Sequence, residues 1–125
     1  MSTVADIMNP KLLYIREGDR HSLVRAKILQ FGVTAIAVLD FEHRPVGVIS
    51  LRDCFDDEPK MSAPAKTVRA GATLAEGARA LADANVHHLV VVDDAGLAVG
   101  MVSALDFLRA YVERPSEHPA AFARY

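Results

Sequence analysis

Moved 53 positions along itself, from Met8 to Met61, this 125-residue chain meets its own sequence again. Val46-Gly47-Val48-Ile49-Ser50-Leu51-Arg52-Asp53 returns as Val99-Gly100-Met101-Val102-Ser103-Ala104-Leu105-Asp106. The same offset, without a gap from Met8 to Asp53, pairs Arg16 with Arg69, Gly18 with Gly71, Val33 with Val86, Val38 with Val91 and Asp40 with Asp93. Ten of the 46 positions are identical, where average residue usage gives about 3. The chain is therefore a tandem duplication, and two copies of one small unit must share a core.

Each copy of the stretch reads as a strand handing over to a helix. Val46, Val48 and Ile49 favour a strand, and Ser50-x-x-Asp53 has the form of a capping box that satisfies the first free helix N–H groups. One reading is helix punctuation alone. The other is a ligand site, because a strand end followed by a helix N-terminus points N–H groups and the positive end of the helix dipole outward, toward an anionic or polyhydroxyl ligand. Gly47 and Gly100 remove a side chain where backbone or ligand comes close.

Composition narrows the class. A chain that is 51% hydrophobic and 24% charged is an ordinary soluble globular protein. No apolar run approaches the roughly 18 residues that span a bilayer, and the N-terminus lacks the basic and apolar regions of a signal peptide, so the expectation is cytoplasmic with no membrane partner. One cysteine, Cys54, excludes an intrachain disulfide and a thiolate metal cluster. A net charge of −2 provides no field for gripping nucleic acid.

In chain order, Ala5 to Pro10 reads as a short apolar turn, Leu13 to Ile15 as a strand and Arg16 to Asp19 as a turn. From Ser22, the residues Leu23, Val24, Ile28, Leu29 and Phe31 fall on one side of a helix closed by Gly32. Thr34 to Leu39 is an apolar strand, Asp40 to Arg44 a polar turn and Val46 to Ile49 the next strand. Leu51, Cys54 and Phe55 give a short helical face that Pro59 stops. The second copy repeats this order: strand Thr67 to Arg69, a capping box at Thr73-x-x-Glu76, a helix through Leu74, Ala78, Leu81 and Ala84, a left-handed cap at Asn85, strand His88 to Val92, a turn over Asp93 to Gly96, and strand Val99 to Val102. The closing helix carries Leu105, Phe107, Leu108, Tyr111 and Val112, apolar over more than half its circumference, a face available to another subunit. The boundaries expected are 1–58 and 59–113 for the repeats, with 114–125 as a loosely held tail.

Together these residues resemble a tandem pair of cystathionine-β-synthase (CBS) domains, the Bateman module. The match is carried by Ala5-Asp6-Ile7-Met8, by the segments ending at Asp40 and Asp93, and above all by Gly47-x-x-Ser50-x-x-Asp53 and Gly100-x-x-Ser103-x-x-Asp106. It covers about residues 3–112. The resemblance implies an α/β fold, a tandem pseudo-two-fold repeat of β-α-β-β-α units with two clefts between them, commonly assembled as a disc-like homodimer. It also implies a stand-alone, bacterial-type module that regulates a protein encoded elsewhere.

In family members that bind adenine nucleotides or related adenosyl ligands such as S-adenosylmethionine, the motif Asp accepts from ribose hydroxyls and the motif Ser or Thr lies near phosphate. Carried over, Asp53 and Asp106 hold ribose, and Ser50 and Ser103 face phosphate. A carboxylate accepting from two vicinal hydroxyls suits that role. The backbone of Leu13 to Ile15 and of Lys66 to Val68 would read the adenine edge. Family members that sense nucleotide charge often place a basic residue just before the central strand. His87 stands there in the second copy and Thr34 in the first, which makes the cleft with Asp53 and His87 the better phosphate site. Ala37 and Val90 stand where the family often has Pro, and His21 stands where the second copy has Leu74.

No required cofactor and no metal site are expected: His87 and His88 are adjacent and point to opposite faces of a strand. No nucleophile elbow, P-loop or acid–base pair is readable, so the chain is not expected to be an enzyme. Cys54 and the methionines Met8, Met61 and Met101 read as core or interface filler. Two roles survive: a module that senses an adenosyl ligand and signals through changed packing or dimerisation, and a non-catalytic interaction module with vestigial clefts.

Overall fold

The computed structural model describes residues 2–55 and 61–112, apart from the side chains of His21, Cys54 and Phe55. The expectations for the side chains of Cys54 and Phe55, for Pro59 and for a tail over 114–125 lie outside the described residues. The first unit contains α1 (Val4–Ile7), β1 (Tyr14–Arg16), α2 (His21–Phe31), β2 (Ala35–Leu39), β3 (Pro45–Ser50) and a 3-10 turn (Leu51–Phe55). The second contains β4 (Thr67–Arg69), α3 (Leu74–Ala84), β5 (His88–Val92), β6 (Ala98–Ser103) and α4 (Ala104–Tyr111).

Each unit forms its own three-stranded sheet, ordered β1-β2-β3 and β4-β5-β6. The first pair in each is parallel, joined by a crossover helix, and the second is an antiparallel hairpin. The two hairpin turns place His43 and Gly96, 53 residues apart, at φ 67 and 83, a left-handed geometry that glycine adopts freely and histidine does not.

The central strands, β2 throughout and β5 from Leu89 on, are apolar without interruption because both of their faces are covered. Ile36 and Val38 point to the α2 side with Ile15, Val24 and Ile28. Leu89 and Val91 point to the α3 side with Leu81, Val68, Val4 and Ile7. The alternate residues Ala37, Leu39 and Val90 meet between the sheets with Ala98, flanked by Leu12, Tyr14, Val48 and Met101. The small side chain of Ala37 lets the sheets approach, and the two repeats share a β core as the duplication implies.

The units also exchange their leading segments. Asn9 pairs with Met101 on the outer edge of β6, and Ser62 pairs with Val48 on the outer edge of β3. Both pairings are double: Asn9 and Met101 exchange N–H···O bonds of 2.8 and 3.1 Å, and Ser62 and Val48 exchange bonds of 2.8 and 3.1 Å. Ahead of this, the N–H groups of Val4 and Ala5 donate to the carbonyls of Ala72 and Ala70, which seats α1 on the second unit. Gly77 of α3 leaves room for Val4 and Phe107, since a Cβ there would stand 2.9 Å from Val4 Cγ2 and 2.6 Å from Phe107 Cζ.

Helix faces follow their patterns with two corrections. In α2 only Val24 and Ile28 of the expected row are buried, while Leu29 is 78% exposed, because a short 11-residue helix offers the sheet a stripe one residue wide per turn. In α3, Ala78 is exposed beside the buried Gly77 and Leu81.

Candidate ligand site at the strand ends

The ends of β3 and β6 bear the two motif turns. Ser103 caps α4 in a complete box: its Oγ accepts from the Asp106 N–H at 3.2 Å, and its own N–H donates to Asp106 Oδ2 at 2.8 Å. This cap is what the duplicated Ser-x-x-Asp spacing builds. The first copy is looser. Ser50 donates to Asp53 Oδ2 through both its N–H, at 2.8 Å, and its Oγ, at 3.0 Å, but the residues that follow form a 3-10 turn in place of an α-helix.

The two carboxylates therefore differ in what they offer a ligand. Asp106 is 4% exposed, the buried charged residue of the described core. Asp53 is half-buried, and both of its hydrogen bonds use Oδ2, which leaves Oδ1 unoccupied among the described residues.

Around these turns the chain is pinned symmetrically. The N–H of Leu51 donates to the Thr34 carbonyl at 2.7 Å, and the N–H of Ala104 donates to the His87 carbonyl at 2.9 Å. The side chains break that symmetry. His88 Nε2 lies 2.9 Å from Thr34 Oγ1, a hydrogen bond from one repeat to the other, while His87 is exposed. The sequence expectation names His87 as the basic group at the cleft, whereas the cross-repeat contact is made by His88. Strand parity was the signal that could have found it: His88 shares a face with Val90, which packs between the sheets. His88 is held below the ordinary imidazole value by burial first and by neighbouring His87 second, against an opposing pull from Asp106.

Of the remaining expected site residues, Ile15 and Val68 bury their side chains in the separate helix-side cores, so only their backbones can face a ligand. Gly47 and Gly100 are approached by the chain itself: a Cβ at Gly100 would stand 2.6 Å from Met8 Sδ and 2.7 Å from the Asn9 carbonyl, and one at Gly47 would collide with Met61 and stand 2.9 Å from the Ser62 carbonyl. Close approach of backbone is thus the observed reason for both glycines. An open depression of about 600 Å³ at the start of α2, lined by Gly18, Asp19, Arg20, Ser22, Leu23 and Ala26, contains none of these residues. No group of His, Cys, Asp or Glu side chains suited to a metal ion occurs among the described residues.

Against protein-family models, residues 4–59 and 61–113 each match the CBS domain. The chain belongs to the CBS domain family. Solved structures of CBS pairs superpose on nearly all of it. CBSX2 in complex with AMP has a TM-score of 0.79 at 23% identity, over 90% of this chain and 98% of that one. The CBS domain pair of protein MJ0100, in complex with 5′-methylthioadenosine and S-adenosyl-L-methionine, has a TM-score of 0.81 at 18% identity, over 90% and 97%. The cytosolic domain of the Mg2+ channel MgtE in complex with ATP has a TM-score of 0.72 at 31% identity, over 82% of this chain and 46% of that one. In sequence, 53 residues are 36% identical to the magnesium transporter MgtE of Thermus thermophilus, which is 42% of this chain and 12% of the transporter. The CBS pair here therefore spans a small part of that curated relative. No helix among the described residues is long and apolar enough to cross a membrane.

Proposed function

We propose that this CBS pair is a regulatory, non-catalytic module that binds an adenosyl ligand, an adenine nucleotide or S-adenosylmethionine, between its repeats and passes the event to a partner through changed packing or dimerisation. The observation that carries this reading is the Oδ1 of Asp53, unoccupied among the described residues, in a half-buried turn at the end of β3 and held in place by Ser50. A carboxylate oriented by one oxygen and open at the other is suited to accept from ribose hydroxyls. The Asp53 cleft is the stronger site in this reading and the Asp106 cleft the weaker, because Asp106 is buried. His88 joins His87 and Ser50 as a group for the phosphate, and the backbones at Ile15 and Val68 remain the adenine contacts. Support also comes from the relatives solved with AMP, with ATP and with S-adenosylmethionine, and the cytosolic domain of MgtE supports a cytoplasmic setting.

A second reading, a dimerisation or docking module with vestigial clefts, is favoured by the outer face of α4, where Leu105, Leu108 and Tyr111 are 49%, 57% and 84% exposed. A thermal-shift series with AMP, ATP and S-adenosylmethionine separates the two. A ligand at 100 times its dissociation constant adds about 2.7 kcal/mol of stability. A rise in Tm that is lost in Asp53→Ala supports the sensor, whereas no response to any of the three, with a dimer in light scattering, supports the docking module.

A further inference from the structure

One side-chain contact joins both motif turns. Thr34 places its Oγ1 2.9 Å from His88 Nε2 while its carbonyl accepts from Leu51 N–H at 2.7 Å, and Leu51 is the first residue of the turn that presents Asp53. On the other side, His88 is the register partner of Ser103, whose N–H and Oγ hold Asp106. Displacing His88 thus pulls on Thr34, and through its carbonyl on the Ser50–Asp53 turn, without breaking either sheet.

We propose that the Thr34–His88 pair is a proton-operated tie between the two repeats, closed when the imidazole is neutral and opened by its protonation, and that it sets how firmly the Ser50–Asp53 turn is held. The charges around His88 favour this switching. Just before its strand His87 is the neighbouring titratable group, and Asp106 faces it from α4. The other two elements offer Thr34 and Ser103, neither of which titrates. A proton on His88 would add charge to a half-buried ring beside a second imidazole, with Asp106 already bound to Ser103. The imidazolium could still donate from Nε2 to the Thr34 hydroxyl oxygen, but in a half-buried site beside a second imidazole the charge costs more than that one bond returns, so the ring lowers its energy by turning out to water at the rim, which ends its contact with Thr34. The pair is peculiar to one repeat order: the position equivalent to His88 in the first copy is Ala35, so no matching tie forms in reverse. Its consequence for ligand affinity rests on the reading of Asp53 as a ligand residue, and the tie itself does not.

Amide hydrogen exchange on the ligand-free chain tests the tie, so its failure and the failure of adenosyl binding are read separately. Ala104 N–H, bound to the His87 carbonyl, is the internal reference for Leu51 N–H. Between about pH 8 and about pH 5.5 the protection of Leu51 relative to Ala104 falls several-fold, tenfold for each pKa unit separating the tied and open states of the ring. Thr34→Val, which keeps the shape and removes the hydroxyl, gives low relative protection at every pH, and His88→Gln, which keeps a polar group and does not titrate, removes the pH dependence. Relative protection that is flat with pH in the unmodified chain, or a pH dependence that survives in His88→Gln, overturns the proposal.

Discussion

Met8 lies over Gly100, and 53 residues later Met61 lies over Gly47, so each repeat is closed by the methionine of the other. In both places the glycine faces a thioether and, behind it, a backbone carbonyl held in a two-bond bridge. A thioether can swing aside, but the carbonyl cannot without breaking the bridge. Gly100→Ala is therefore expected to cost about 1–3 kcal/mol, read as a lower urea midpoint, and Met8→Ala added to it is expected to recover only part of the loss. A Gly100→Ala protein as stable as the parent would show that the leading segment does not pack on β6 as described.

The two motif carboxylates should separate stability from binding. Asp106→Ala removes a buried acceptor and leaves the Ser103 N–H without its partner, a loss of about 1–3 kcal/mol. Asp53→Ala acts in a half-exposed turn and is expected to cost about 1 kcal/mol or less, while abolishing most of the thermal shift that the proposed function expects from AMP. Melting both variants with and without AMP checks this. Equal destabilisation by the two substitutions would contradict the difference in burial that ranks the clefts.

The element order was legible in the chain because it is local: turn residues, apolar runs and capping spacings sit within a few residues of one another. β4 and β5 run over the residues the pattern marks, Thr67–Arg69 and His88–Val92, and Asn85 caps α3 in the left-handed region. Three features depend on distant partners and were not legible. The exchange of Asn9 and Ser62 between sheets is a choice of edge that no local propensity encodes. The exposure of Leu29 depends on how α2 rolls on its sheet. Parity sets His88 on the face of Val90, but which face of β5 meets the other repeat is concealed because Leu89 to Val92 are all apolar. The turn after Ser50 differs from α4 although the spacing is identical, and there Asp53 engages Ser50 only through Oδ2.

The duplication also shows where the first helix lacks what the second has. Thr73 caps α3 in a box with Glu76, its Oγ1 accepting from Glu76 N–H at 3.1 Å. At the equivalent position α2 begins after Arg20, which makes no side-chain cap and has the same extended backbone, φ −71 and ψ 146. Arg20→Thr is expected to add about 0.5–1 kcal/mol, and Thr73→Ala to remove about 1 kcal/mol. Urea midpoints measure both. A destabilising Arg20→Thr would mean that the arginine holds something more than the helix start.

Acid sensitivity should trace to His88. In the folded chain its proton affinity lies below the ordinary imidazole value of 6.5, through burial first and His87 second, with Asp106 opposing. Below 6.5 the unfolded chain then binds more protons than the folded one, and stability falls wherever the unfolded state takes up more. The contribution is whole above the unfolded value, is lost as pH drops through it, and stops declining once the folded ring is also protonated. Urea midpoints between about pH 8 and about pH 5.5 should therefore fall more steeply for the parent chain than for His88→Gln, with the two curves converging toward low pH relative to their separation at high pH. Parallel curves would place the acid sensitivity on some other group, and His88 would be an ordinary rim histidine.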